Sequence, residues 1–328
     1  MPGEKLTVGA IGVGPVGTIL ATCLAEAGAE ICVADVPPRI DQIKQSGLQI
    51  HWDGRDYRHA VSKTGPIGSL AEWEPDIIFI STKACLLKKI MPQVAQVASD
   101  RSLVLSIQNG IGTEDKIAEH VPRENVGRMV VNYAGGIDEN GIVNVNCFNP
   151  PNFFGLLTDH EDPRLFIFIE MLNTSGLTSE LVDPLTIKKK AFLKTILNSA
   201  LMPVCAIMGI TMSEAMQGRL TRRLAEDLLT EGFSVAERMG YFYGDDIREK
   251  CLGYLNKGGN HHPSMSIDLK CKRPTEIDFI NGKILNIGAS FGDLDLPVNR
   301  TLVSLVMTQE VRNGTREPDD FPDHLFGY

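Results

Sequence analysis

The sequence predicts an α/β protein: a parallel β-sheet covered by helices on both faces, followed by a second, all-helical domain. Three observations carry this. In the first half, short runs that are apolar on both faces alternate with stretches of helical periodicity, as expected of parallel strands buried beneath crossover helices. A glycine-rich turn separates the first strand from the first helix. Beyond Asp183-Pro184 helical periodicity takes over and strand signals fade. With 328 residues and 43% hydrophobic side chains, the chain can build two substantial cores, which excludes wholesale disorder.

The elements follow in order. Residues 6–11 (LTVGAI) form a strand that runs into glycines. Residues 16–27 carry helical periodicity and stop at Gly28, a residue suited to the left-handed turn after a helix. Residues 30–34, 76–81 and 102–107 are further strands, with a helix over 86–98. From 129 to 181, glycines and Asn-rich turns separate short strand candidates, read as a meander that finishes the sheet. Asp183 is a helix N-cap and Pro184 a first helical residue, placing the domain boundary between 183 and 184. Helices are expected over 185–202, 212–239 and 267–291, with Asp245-Asp246 as a further cap. Pro203 should bend or end the first of them. The polar tail from Asn313 should run over the surface.

Composition narrows the function. A net charge of −9 argues against a general nucleic-acid or anionic-membrane surface, and the 6% aromatic content argues against stacked rings. The apolar stretches fall short of a membrane span. Met1-Pro2-Gly3-Glu4 shows no signal pattern, and the seven cysteines form no CxxC; together these predict a cytoplasmic protein with reduced, buried thiols. No metal motif is present: His261 and His262 are adjacent and read as a loop pair, while Trp52 and Trp73 read as packing residues.

Gly12-Val13-Gly14-Pro15-Val16-Gly17 is G-x-G-x-x-G between a strand and a helix, the fingerprint of a Rossmann dinucleotide-binding domain. Gly12 allows the tight turn, Gly14 the approach of a pyrophosphate, and Gly17 close helix–strand packing. Pro15 and Val16 open the helix whose N–H groups would face the phosphates. Asp35 closes the second strand, where an acid binds ribose hydroxyls and repels a 2′-phosphate. This favours NAD(H); NADP(H) stays open because Arg39 is near. In the helix over 191–202, Lys194 and Asn198 share one face of an otherwise apolar segment. A lysine there is a candidate general acid.

The run Lys194-Thr-Ile-Leu-Asn198-Ser-Ala-Leu-Met202-Pro203 resembles the catalytic helix of the ketopantoate reductases (2-dehydropantoate 2-reductases). Ser81-Thr82-Lys83, Gln108-Asn109-Gly110-Ile-Gly112, Ser264-Met265-x-x-Asp268 and Thr275-Glu276-Ile-Asp278-Phe-Ile-Asn281-Gly282 resemble the family's other motifs, in the same order. The resemblance implies a Rossmann domain, a helical domain for substrate and dimerisation, and a cleft between them. It implies Lys194 as general acid and Glu276 as the group completing the network around it. Asn109, Asn198 and Ser264 would hold substrate or nicotinamide, and Lys83 would lie near cofactor and substrate carboxylate. Two positions depart from the pattern. Met202 stands where the family often has a second Asn, which implies an apolar distal substrate group. Asp35 departs from the family's preference for NADPH.

The leading expectation is an NAD(H)-dependent 2-oxo acid reductase or 2-hydroxy acid dehydrogenase, a homodimer acting on a small molecule. The alternatives are ketopantoate reductase proper and a dinucleotide-binding regulatory protein without turnover.

Overall fold

The computed structural model describes residues 5–98, 101–322 and 325. The readings of residues 1–4 and of the last tail residues lie outside these. The chain divides into two compact units. One runs to Gln108 and resumes over Thr113–Lys190; the other joins Asn109–Gly112 to the chain from Ala191 onward.

The first unit opens with β1 (Thr7–Ile11), α1 (Pro15–Glu26), β2 (Glu30–Ala34) and α2 (Pro37–Ser46). Next come β3 (Leu48–Trp52), β4 (Arg55–His59), β5 (Lys63–Gly65), α3 (Leu70–Trp73) and β6 (Ile77–Ile80). α4 (Leu87–Val97), β7 (Leu103–Ser106), α5 (Thr113–Ala118) and β8 (Val126–Val130) follow. β9 (Tyr133–Ile137), β10 (Val143–Phe148), β11 (Asn152–Leu156), α6 (Pro163–Thr174) and β12 (Ser179–Leu181) complete it.

Eight strands form one sheet in the order β12-β11-β8-β7-β6-β1-β2-β5. The six from β5 to β8 are parallel, and β11 closes antiparallel on β8. Strand alternation accounts for the runs that are apolar on both faces. Ile77 and Phe79 of β6 join the core cluster under α1 and α6, whereas Ile78 and Ile80 join the cluster under α4. β1 lies between β2 and β6, so the chain reverses its direction of growth there. That reversal is the switch point at which open α/β sheets bind ligands.

The meander expected over 129–181 is divided instead. β8 and β11 extend the main sheet, while β9 and β10 leave it to form a second, four-stranded sheet with β3 and β4. Trp52 packs edge-on against Phe148 there, and Trp73 packs against the core cluster under α4.

α7 (Pro184–Met208) begins where Asp183 Oδ1 accepts the N–H groups of Leu185 and Thr186, both at 2.9 Å. The two compact units divide inside this helix, between Lys190 and Ala191. Ile187 packs on Gly155 and Lys190 lies over the Phe153 ring, both in the first unit, whereas Phe192 and Ile196 enter the core of the second. α7 runs through Pro203 without ending. Its mean hydropathy over an 18-residue window is 1.6, so by length and composition it could cross a membrane, contrary to expectation; 61% of that window is buried as core.

The second unit adds α8 (Met212–Gln217), α9 (Arg219–Arg238), α10 (Ile247–Asn256), α11 (Ser264–Lys270), α12 (Asn281–Ala289) and α13 (Pro297–Arg312). The single helix expected over 212–239 is broken at Gly218, after a Thr211/Glu214 capping box. That expected over 267–291 is also broken: α11 stops before Lys272, at φ +51°, and a single turn precedes α12. Of the cysteines expected to be buried, Cys147 and Cys271 are exposed, and Cys85 is half-exposed.

Candidate active-site residues

The glycine loop follows β1. Gly12 has φ +79°, and a Cβ there would meet Thr82 Cγ2 at 2.5 Å. A Cβ on Gly17 would meet Gly12 O at 2.5 Å and the Ser81 hydroxyl. Both glycines are therefore required by packing against the segment that follows β6. Gly14 differs: a Cβ there meets nothing within 4 Å. The loop is open at the glycine that the fingerprint assigns to close approach of a pyrophosphate. With Pro15 lacking an N–H, the amides of Val16 and Gly17 are left in the first turn of α1 without helical acceptors. An anion fits this arrangement.

The loop is held from the next strand. Asp35 Oδ2 accepts the Val13 N–H at 2.7 Å, and Oδ1 accepts the Val36 N–H at 2.7 Å. Arg39 Nε donates to Val13 O at 3.1 Å, and Nη2 donates to Thr18 Oγ1 at 3.0 Å. The Val13 peptide is thus gripped on one side by the acid and on the other by the arginine. Burial lowers the Arg39 pKa and Asp35 opposes that shift.

Lys83 is half-buried just after β6. Its neighbour Thr82 is tied to the end of β7, since Gln108 Nε2 donates to Thr82 O at 2.9 Å. Beneath lies a buried network. Arg128 of β8 pairs with Glu114, donates to Thr113 Oγ1 at 3.0 Å and reaches Gln108 O at 3.4 Å. Burial pushes Glu114 up, but Arg128 and its hydrogen bonds outweigh this and hold it below its ordinary value. Sequence reading missed this network. Its sequence signal was Arg128 inside the otherwise apolar run Val126-Gly-Arg-Met-Val130, a strand that the fold buries at every position.

The remaining candidates lie in the second unit. Along α7 from Ala191, pairs of buried residues alternate with pairs that are half-exposed. Lys194 and Asn198 fall on the half-exposed stripe with Leu193 and Leu197. Met202 does not: it is 6% exposed and belongs to the hydrophobic core. Ser264 opens α11 and is half-buried.

Glu276 is 5% exposed, in the turn before α12. That turn is clamped from α13: Glu310 Oε1 accepts the Thr275 N–H at 2.7 Å, and Glu310 Oε2 accepts from Arg316 at 2.8 Å. Arg316 also pairs with Asp278, whose pKa burial raises against the arginine's pull. The Asn109 turn rests on the same segment. Ile111 N donates to Phe279 O at 2.9 Å. Gly110, at φ +88°, passes so close to Phe279 that a Cβ would meet its Cβ at 2.6 Å. Asn109 is therefore carried on the segment that bears Glu276, although far from it in sequence.

His261 and His262 are exposed; His262 Nδ1 lies 3.2 Å from Ile210 O. Among the described residues, no three His, Cys, Asp or Glu side chains cluster as a metal site.

Two family models match the chain: "Ketopantoate reductase PanE/ApbA" over residues 8–155 and "Ketopantoate reductase PanE/ApbA C terminal" over 186–310. A 2-dehydropantoate 2-reductase of Pyrococcus horikoshii is 28% identical over 304 residues, spanning 93% of this chain and 97% of that protein. Among solved structures, a PanE/ApbA family ketopantoate reductase from Ralstonia eutropha superposes with a TM-score of 0.84 at 24% identity, covering 94% of this chain and all of the other. A complex of D-mandelate dehydrogenase with NADH gives 0.80 at 25% identity, covering 94% and 99%.

Proposed function

This chain belongs to the ketopantoate reductase family, and from that premise we propose that it is an NAD(H)-dependent oxidoreductase interconverting the 2-oxo and 2-hydroxy groups of a small carboxylic acid. The observation that carries the reading is the stripe of Lys194 and Asn198 on a stretch of α7, Ala191 to Cys205, whose other faces are buried. From Ala191 to Cys205 this helix keeps one lysine and one asparagine half-exposed, and with Asn109 and a buried Glu276 in the same unit it supplies the groups that carbonyl reduction needs.

Bound NADH supplies a hydride. Lys194 donates the proton, or a strong hydrogen bond, to the oxygen on which negative charge develops. Glu276 orients Lys194. Asn109, Asn198 and Ser264 would hold the substrate's carboxylate or the carboxamide of the cofactor, and Lys83 would balance negative charge on cofactor or substrate. Gly12, Gly14, Pro15, Val16 and Gly17 receive the pyrophosphate.

Asp35 supports NADH over NADPH, because a 2′-phosphate beside its carboxylate meets like charge. The D-mandelate dehydrogenase complexed with NADH is in keeping with that choice. The second reading, reduction of ketopantoate itself with NADPH, is supported by the relatives named 2-dehydropantoate 2-reductase and by Arg39 beside the loop. The proposed compartment is the cytoplasm and the proposed assembly a homodimer through the helical unit. A spectrophotometric screen of ketopantoate, pyruvate, and branched and aromatic 2-oxo acids with both cofactors tests the reading. Turnover is expected with NADH and an apolar 2-oxo acid. NADH binding without oxidation across the panel would leave a regulatory dinucleotide-binding protein instead.

A further inference from the structure

Pro203 lies inside α7 and has no N–H, so the Ser199 carbonyl one turn earlier loses its helical partner. The helix continues nonetheless to Met208. The missing donor is supplied from another segment: Asn281 Nδ2 donates to Ser199 O at 3.1 Å. Asn281 is wholly buried. Its amide also donates to Asn299 Oδ1 at 2.9 Å, and Asn299 Nδ2 donates to Glu231 Oε2 at 2.8 Å. Glu231 in turn accepts the N–H groups of Val298 and Asn299 at 2.8 and 2.9 Å, so the amide is braced by both α9 and α13.

Asn281 Oδ1 has no hydrogen-bond partner among the described residues. A buried acceptor left unpaired is destabilising. Leucine has the same branching and would fill the position without that cost. The side chain is therefore explained by its two donors rather than by packing.

Asn281 stands directly after the turn that carries Glu276, and Ser199 directly after Asn198. We infer that Asn281 is a positioning residue: it replaces the amide that Pro203 lacks and so fixes the Lys194–Asn198 stripe against the Glu276 segment. The inference rests on the proposed roles of Lys194 and Glu276. Without the bond, α7 is free to bend at the proline, and displacements near 1 Å cost on the order of 10²-fold in rate at a reacting centre.

The test is a double-mutant cycle. Asn281→Leu is made in the wild-type chain and in a Pro203→Ala chain, where residue 203 regains its N–H. Steady-state kcat and KM with NADH and the preferred 2-oxo acid, and Tm by circular dichroism, are measured for all four proteins. In the wild-type background Asn281→Leu should lower kcat about 10-fold or more, with the KM for NADH little changed. In the Pro203→Ala background the same substitution should cost less than about 3-fold, because the helix again satisfies its own carbonyl. Equal losses in both backgrounds, or an unchanged kcat with a lowered Tm, would overturn the inference. If Asn281→Leu does not fold alone, Asn281→Ser, which keeps one donor, takes its place in the cycle. A wild-type protein without turnover would overturn the reading of the site, not this coupling, which the Tm values still report: the loss of Tm should be smaller where residue 203 is alanine.

Discussion

Gly14 and Gly17 lie in the same loop, yet substituting each should fail in a different way. Gly14 adopts φ −65° and ψ −169°, a backbone any L residue accepts, and an added Cβ meets nothing within 4 Å. Gly14→Ala should therefore leave Tm unchanged or slightly raised, since alanine narrows the unfolded ensemble by about 0.4–1 kcal/mol. The new methyl group would occupy the open space by which the proposed pyrophosphate reaches the backbone. Loss of one hydrogen bond to a charged group, about 1.5–3 kcal/mol, corresponds to a roughly 10- to 150-fold weaker Kd. Gly17→Ala meets the opposite situation, with Gly12 O 2.5 Å from the new Cβ and the Ser81 hydroxyl also in the way. Overpacking of this kind costs about 1–3 kcal/mol, and at roughly 2–4 °C per kcal/mol the melting point should fall by several degrees. NADH titration by fluorescence gives Kd, and thermal unfolding gives Tm. If Gly14→Ala binds NADH as tightly as wild type, the phosphates do not pass over Gly14, and the assignment of this loop is wrong.

Other expectations follow from the same residues. Asp35→Asn keeps an acceptor for the Val13 N–H but removes the charge, so the ratio of KM for NADPH to that for NADH should fall; a wild-type preference for NADPH would show that Arg39 governs the site. Lys194→Ala should lose kcat by on the order of 10²-fold with little change in NADH affinity, and retained kcat would remove Lys194 from the chemistry. Because Met202 is core rather than part of the Lys194 and Asn198 stripe, Met202→Asn should cost stability, roughly 1–3 kcal/mol for a buried unpaired amide, without moving the ratio of kcat/KM for ketopantoate to that for an apolar 2-oxo acid. A shift of that ratio toward ketopantoate at unchanged Tm would show that Met202 faces the substrate instead. Glu114 is held below its ordinary value of 4.5, so its contribution to stability is present above that pH and is lost as pH falls through its lower folded value. Glu114→Gln should flatten the acid branch of Tm against pH, and an unaltered acid branch would show that the Arg128 pair does not set it.

The sequence alone determined the alternation of strands and helices around the glycine loop, because apolar runs of that length and period have few other solutions. It determined the demand for glycine at 12 and 17, the acid at 35, and the polar stripe of Lys194 and Asn198, since each is a local matter of backbone, spacing or periodicity. Tertiary structure decided the rest. Whether β9 and β10 extend the main sheet depends on pairing with β3, distant in the chain, and no local period encodes a partner. Met202 reads as a neighbour of Asn198 on a helix drawn alone; in the folded unit that position turns into the core. Pro203 reads as a bend or an end of the helix; α7 runs through it, and Asn281, contributed by a segment remote in sequence, donates to the carbonyl that the proline leaves free. Asn109 reaches the Glu276 segment only because Gly110 can lie against Phe279. In each of these cases the deciding group lies far along the chain, and a buried polar atom must find its partner wherever the fold provides one.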